Sequence, residues 1–169
     1  TGLARLHQLS VPDTAYPKLY DYLSGTVEPR VLQRLRRYGS ELPRRCVDLG
    51  LAAVPAPTAA SKVLLHADLY AENILFDQVG KPVFLDPLPI VGDVAFDWAF
   101  FIVYYDHAAD PVTRLRAASK ASGLGVSALL PWCLRLGLDG LLYYHDTADL
   151  RESRMIEVIM LLAAEGEAQ

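Results

Sequence analysis

The sequence predicts a mainly α-helical domain interrupted by one small β-hairpin island, an α+β arrangement. Three observations carry this. Apolar residues recur at helical spacing through residues 3–49 and again through 96–164. Between them, three short apolar runs bounded by turn residues lie within residues 62–85. The chain has 169 residues, 52% of them hydrophobic, enough for one domain with a substantial core.

The elements follow in order. Leu3, Leu6 and Leu9 share a helical face that is expected to end near Val11-Pro12. A second short amphipathic stretch covers residues 16–23 and is closed by Ser24-Gly25. Glu28-Pro29 opens a third helix, with proline at a favourable first-turn position and Val31, Leu32, Leu35 and Tyr38 as its stripe. Residues 42–49 form another helix that Gly50 can cap, and residues 55–61 read as a loop. Val63-Leu64-Leu65, Asn73-Ile74-Leu75-Phe76 and Pro82-Val83-Phe84-Leu85 are the three strand candidates, with a turn over residues 77–80. Helices then cover 96–107, 111–122, 127–144 and 150–164. Pro131 fits the first turn of the third of these. Asp149 suits the N-cap of the last, with Glu152 three residues on in capping-box style.

Charge narrows the function classes. The formal net charge is −4, and residues 93–169 hold six Lys/Arg against eleven Asp/Glu. That balance disfavours nucleic acid and leaves room for a cationic small substrate. The run Arg30, Arg34, Arg36, Arg37, Arg44, Arg45 reads as the solvated face of two helices. Cys46 and Cys133 are far apart and read as buried free thiols. No uninterrupted apolar run reaches the ~18–20 residues of a membrane span, and no signal peptide is evident, so a cytoplasmic location is the default expectation.

The informative segment is Leu65-His66-Ala67-Asp68-Leu69-Tyr70-Ala71-Glu72-Asn73-Ile74-Leu75-Phe76, followed by Val83-Phe84-Leu85-Asp86-Pro87. Phosphoryl transfer to a hydroxyl needs one carboxylate beside the attacking oxygen. It also needs a second carboxylate and an amide oxygen to hold Mg²⁺ against the phosphates. A loop between strands can present Asp68 and Asn73 to one cleft, and a further strand can deliver Asp86 beside them. Asn73 offers a neutral hard oxygen and Asp86 a charged one.

This skeleton resembles the catalytic loop of protein kinases, His-Arg-Asp-x4-Asn followed by Asp-Phe-Gly. It is more similar to the aminoglycoside phosphotransferase family, which reads His-Gly-Asp-x4-Asn-Ile/Val-Leu, then Asp-Pro or Asp-Trp, then Gly-Asp-Pro-x-x-Asp. Here those positions are His66-Ala67-Asp68, Asn73-Ile74-Leu75, Asp86-Pro87 and Gly92-Asp93-Val94-Ala95-Phe96-Asp97. The Asp86-Pro87 and Val91-Gly92-Asp93 pairing looks most like the streptomycin and hydroxyurea kinase branch, and Leu3-Ala4-Arg5-Leu6-His7 resembles the family's first helix after the hinge. The resemblance implies a protein-kinase-like fold, of which residues 1–169 are the C-terminal helical lobe. It implies Asp68 as catalytic base and Asn73 and Asp86 as magnesium ligands. His66 would support the loop from beneath, and Asp97 would brace its backbone. Asp93 would be a turn or cap residue. ATP is the implied phosphoryl donor and Mg²⁺ the implied metal. The implied acceptor is a small polar or cationic molecule, aminoglycoside-like, gripped by acids on the helical side of the cleft. The acids near two helix ends are the candidates for that grip: Asp146 and Asp149, which lie near Tyr143, Tyr144 and His145, and Asp106 and Asp110. Ala67 stands where the family has Gly and is expected to fit with a negative φ, and Tyr70 stands where His is common.

The family's N-terminal lobe carries a Gly-rich phosphate loop and a strand lysine. Lys18 and Lys62, the lysines ahead of the loop, are in no such context. The expectation is therefore a chain cut from a longer protein, with its nucleotide-binding lobe as the missing partner. Alternatives stay open: a non-catalytic helical binding module that kept the core, or a kinase of another metabolite such as an amino sugar or ketoamine. Neither nucleic acid nor membrane is expected as a partner.

Overall fold

The computed structural model describes residues 2–9, 15–56, 58 and 62–168. The predicted end of the first helix at Val11-Pro12 and most of the 55–61 loop lie outside the described residues. The chain is mainly helical with small antiparallel ladders, as the sequence predicts.

The organising element is α7 (Val126–Asp146), which packs against α8 (Glu152–Glu167), α5 (Val94–Tyr104), α4 (Arg44–Ala52) and α3 (Glu28–Tyr38). Leu129, Trp132, Cys133, Leu138, Leu141, Leu142 and Tyr144 of α7 are buried. Each such apolar side chain contributes about 1.5–3 kcal/mol of transfer free energy. By length and composition alone α7 could cross a membrane, but its apolar length is the centre of this core. Helix α5 is apolar nearly all round, and all of its residues except Phe101 are buried. It runs through the middle of the protein rather than over its surface. Helix α6 (Pro111–Ser122) begins as a capping argument would have it. Asp110 accepts from the Val112 and Thr113 amides, Pro111 occupies the first turn, and Gly123 closes the helix at φ +75°. Cys46 and Cys133 are buried free thiols, as expected.

The start of the chain departs from expectation. Helix α1 (Gly2–Leu6) is short. Helix α2 (Leu19–Tyr22) does not stop at Ser24-Gly25. It runs through a π-helical turn, Leu23–Val27, directly into α3. Leu23 and Val27 are both buried, and the wider turn carries both to the core despite the weak helix former between them. Gly50 is not a cap either. It lies inside α4, where a Cβ would sit 2.5 Å from Leu138 Cβ, so its lack of a side chain lets α4 meet α7 closely.

The β structure is two ladders rather than one island. β2 (Ile74–Phe76) and β3 (Pro82–Phe84) form the expected hairpin. β1 (Val63–Leu65) pairs with a fourth strand, β4 (Ile90–Gly92), with Leu65 opposite Ile90. That strand follows Pro87-Leu88-Pro89, which reads as a breaker in sequence. Two helix-end expectations also fail. Helix α7 starts at Val126, which puts Pro131 inside the helix beyond the first turn. The Asp149–Glu152 capping box does not form, because the Asp149 carboxylate is taken by the Arg151 amide and guanidinium while Glu152 bonds His145.

Gly50→Ala lowers unfolding free energy by up to about 2 kcal/mol. The overpacking cost of about 1–3 kcal/mol outweighs the roughly 1 kcal/mol by which alanine is the better helix former. Urea unfolding measures it, and an unchanged or raised midpoint would show that α4 and α7 separate freely.

Candidate functional site

The segment between β1 and β2 is a loop with almost no regular structure, so side chains and helix ends must fix its backbone. Helix α5 does so. Asp93 is its N-cap, accepting from the Ala95 amide at 2.8 Å, and it also holds the Thr58 amide and hydroxyl. Asp97 stands one turn further on, on the same face of the helix. It is fully buried, and its two oxygens accept from the His66 amide and the Ala67 amide, both at 2.8 Å. His7 Nε2 donates to the same carboxylate at 2.9 Å, tying the first helix to the loop. The sequence reading placed Asp97 under the loop but gave His7 no part.

His66 is buried and spans the loop from beneath. Its Nε2 donates to the Leu85 carbonyl at 2.9 Å, and its Nδ1 accepts from the Asp68 amide at 3.3 Å. That pair of partners requires the proton on Nε2. The His66 carbonyl accepts from the Leu88 amide and the Asn73 carbonyl from the Leu85 amide, so the segment bearing Asp86 is stitched to the loop bearing Asp68.

Asp68 and Asn73 meet directly. The Asn73 side-chain amide donates at 2.8 Å both to the Asp68 carboxylate and to the Asp68 carbonyl. This fixes the amide's orientation and leaves its oxygen as an acceptor without a partner among the described residues. Burial pushes the Asp68 carboxyl above the ordinary aspartate range. The Asn73 hydrogen bond and His66 pull it down, and the charge of Asp86 pushes it up again. Asp86 is exposed at φ +48°, a region aspartate tolerates, and its carboxylate takes part in no hydrogen bond or ion pair among the described residues. His66, Asp68, Asn73, Asp86 and Asp97 therefore gather around one loop.

Ala67 corrects an expectation. Its φ is +58°, not negative. The loop needs a left-handed residue directly after the pair of amides that Asp97 holds, and alanine bears its steric cost there.

Beside Asp68 the cleft has two adjoining chambers of about 180 and 240 Å³. Arg30, Tyr70, Tyr104 and Asp139 line both. Arg30 and Arg34, one turn apart on α3, face Asp139, Tyr143 and Asp146 on α7. Arg30 grips Asp139 with two bonds, 3.1 and 2.5 Å. Arg34 bonds Asp146 at 3.2 Å, and Tyr38 donates to the other oxygen of Asp146 at 2.6 Å. Two members of the basic run thus turn into the cleft rather than to solvent. The sequence reading also missed Asp139, whose partner is 109 residues away.

The acids expected to grip a substrate's amines are otherwise engaged. Asp110 caps α6, Asp106 bonds the Ala108 amide, Asp149 bonds Arg151, and Asp146 is held as above.

With this geometry in view, the comparisons with known proteins are informative. The model of the phosphotransferase enzyme family, APH, matches residues 1–132, and the chain belongs to that family. Among curated proteins and among solved structures, nothing matches the chain significantly.

Ala67→Gly raises stability by about 0.5–1 kcal/mol, since relief of the left-handed strain, about 1–2 kcal/mol, exceeds the added freedom of the unfolded chain, about 0.4–1 kcal/mol. A lowered urea midpoint would mean that contacts of the buried methyl group outweigh the strain.

Proposed function

We propose that the chain is the catalytic lobe of an ATP- and Mg²⁺-dependent phosphotransferase that moves the γ-phosphoryl group to a hydroxyl of a small polar molecule. The observation that carries this reading is the joint placement of Asp68, Asn73 and Asp86. One carboxylate is raised by burial and oriented by an amide, and a second is left unpaired on the adjoining segment.

Asp68 orients the acceptor hydroxyl and takes its proton as the oxygen attacks phosphorus. A base with a raised pKa is a better match for that proton than an ordinary aspartate, provided it is still ionised at the working pH. Asn73 and Asp86 would hold Mg²⁺ through one neutral and one charged oxygen. The fit is that of an ion which keeps water and takes its remaining ligands from phosphate. No cluster of three His, Cys, Asp or Glu side chains among the described residues forms a protein-only cage, which agrees with a metal shared with the nucleotide. When bound, the metal neutralises charge on the transferring group. His66 and Asp97 position Asp68 through the loop backbone and touch no reacting atom.

The residues that would cover the nucleotide base and grip its α- and β-phosphates belong, in this reading, to a separate β-rich lobe. The apolar rim of the β2–β3 hairpin supports it. Leu75, Phe76 and Val83 are exposed close to the loop, as a surface that docks a second lobe would be.

In the full-length natural protein, Asp68→Ala lowers kcat by about 10²–10⁴-fold with little change in the far-ultraviolet circular dichroism. Near-normal turnover in that variant would sink the assignment. The pH profile of kcat/KM has an acid limb, because protonation removes the base. Its midpoint lies above the ~4 of an unperturbed aspartate, and a limb at or below that value would show that burial does not tune the base.

A further inference from the structure

Resting on the phosphotransferase reading, we infer that the acceptor is an uncharged polyhydroxylated ring, a sugar or cyclitol without amino groups, held by the Arg30–Asp139 pair and the Tyr70 hydroxyl.

Charge is the first argument. Four ionisable acids and bases line the two chambers beside Asp68: Arg30, Arg34, Asp139 and Asp68 itself. They balance. A polycation entering here meets two guanidinium groups, and an anion meets two carboxylates. Asp139, the acid best placed to take an ammonium, is 9% exposed and already holds Arg30 in a two-bond fork, with Arg34 3.9 Å away. An incoming amine has to displace a planar, preorganised guanidinium from a partly desolvated site, and a flexible ammonium is the weaker competitor there. Asp146, at the rim, is held by both Arg34 and Tyr38. Glu72 is exposed on the catalytic loop and lines neither chamber.

Hydrogen-bonding chemistry is the second argument. A fixed guanidinium–carboxylate pair presents donors and acceptors side by side, and neighbouring hydroxyls on a ring can give and take bonds with both at once. Tyr70 adds a third handle. It lies two residues beyond Asp68, lines both chambers, and its ring is held edge-on by Phe100 and against Tyr104. Its hydroxyl bonds none of the described residues, whereas the Tyr104 hydroxyl is spent on the Leu136 carbonyl. Tyr143 lines the larger chamber at its mouth, with the Arg34 guanidinium over its ring, 5.3 Å from the centroid.

The test is paired binding to the full-length natural protein. Unsubstituted pentoses, hexoses and cyclitols are each compared with their amino-substituted counterparts by calorimetry at pH 7, and ATP-dependent phosphorylation is read in the same samples. At least one neutral member binds tenfold or more tightly than its amine counterpart. Tyr70→Phe weakens that neutral ring about three- to tenfold. Arg30→Gln, which frees Asp139, shifts the preference tenfold or more toward the amine. Should Arg30→Gln fail to fold, Tyr70→Phe removes a single oxygen and carries the test alone. Equal or tighter binding of the amine members, or no binding of any neutral member at tens of millimolar, overturns the inference. A neutral ring that binds in preference to its amine, with no phosphoryl transfer to any member of the panel, leaves the cleft's choice of a neutral ring standing and sinks the phosphotransferase reading. Preferential phosphorylation of the amine members does the reverse.

Discussion

The loop that bears Asp68 depends on one buried carboxylate. Between β1 and β2 the backbone has no ladder to satisfy it, and the Asp97 oxygens supply what a ladder would, holding two successive amides at 2.8 Å. Hydrogen bonds to a charged acceptor are worth about 1.5–3 kcal/mol each, which is enough to hold Ala67 in the left-handed region. The rest follows in steps. Asp93 caps α5 and so fixes where Asp97 stands. Asp97 fixes His66 and Ala67. His66 then spans to Leu85, which sets the segment that ends in Asp86. The spacing Asp93-x3-Asp97 is one helical turn, and that is why one residue can cap the helix while the other braces the loop.

This chain of dependence explains which parts of the site were legible in the sequence. His66, Asp68 and Asn73 lie within eight residues, and Asp86, Asp93 and Asp97 follow at short range. Their chemistry therefore shows as spacing along one stretch of chain. The structure gathers all of them. Ala67 was misread because the loop's tightness depends on the two amides Asp97 holds, and nothing local reveals that. His7 was invisible because its partner is 90 residues away. The helical elements were legible from periodicity. Their joins were not. Ser24-Gly25 has the local signature of a stop, but burial of Leu23 and Val27 on either side keeps the chain helical.

The cleft wall was misread for a related reason. Arg30 and Arg34 sit on an amphipathic helix at the flank of its apolar stripe, and the basic run they belong to reads as a solvated face. Periodicity cannot say what stands opposite. What stands opposite is α7, with Asp139 and Asp146 a further hundred or so residues along the chain. A charge that looks solvated in one helix becomes a paired, half-buried group when a second helix offers its complement. The same pairing consumes the acids that a search for an amine-binding cleft would have chosen.

The loop and the wall are therefore built on different principles, and the difference bears on function. The loop is fixed by bonds to backbone amides, which do not depend on which substrate is present. The wall is fixed by side chains paired with each other across α3 and α7, and in the proposed reading those pairs are the groups an acceptor would address. A change in the wall need not disturb the loop around Asp68, because among the described residues Asp97 and His66 hydrogen-bond neither Arg30 nor Asp139. Tyr70 lies where the two meet. Its backbone belongs to the loop through the Asp68 carbonyl, and its ring belongs to the wall through Phe100 and Tyr104. In the proposed reading a residue so placed would set the distance between the acceptor and Asp68, the quantity on which transfer by positioning depends most steeply.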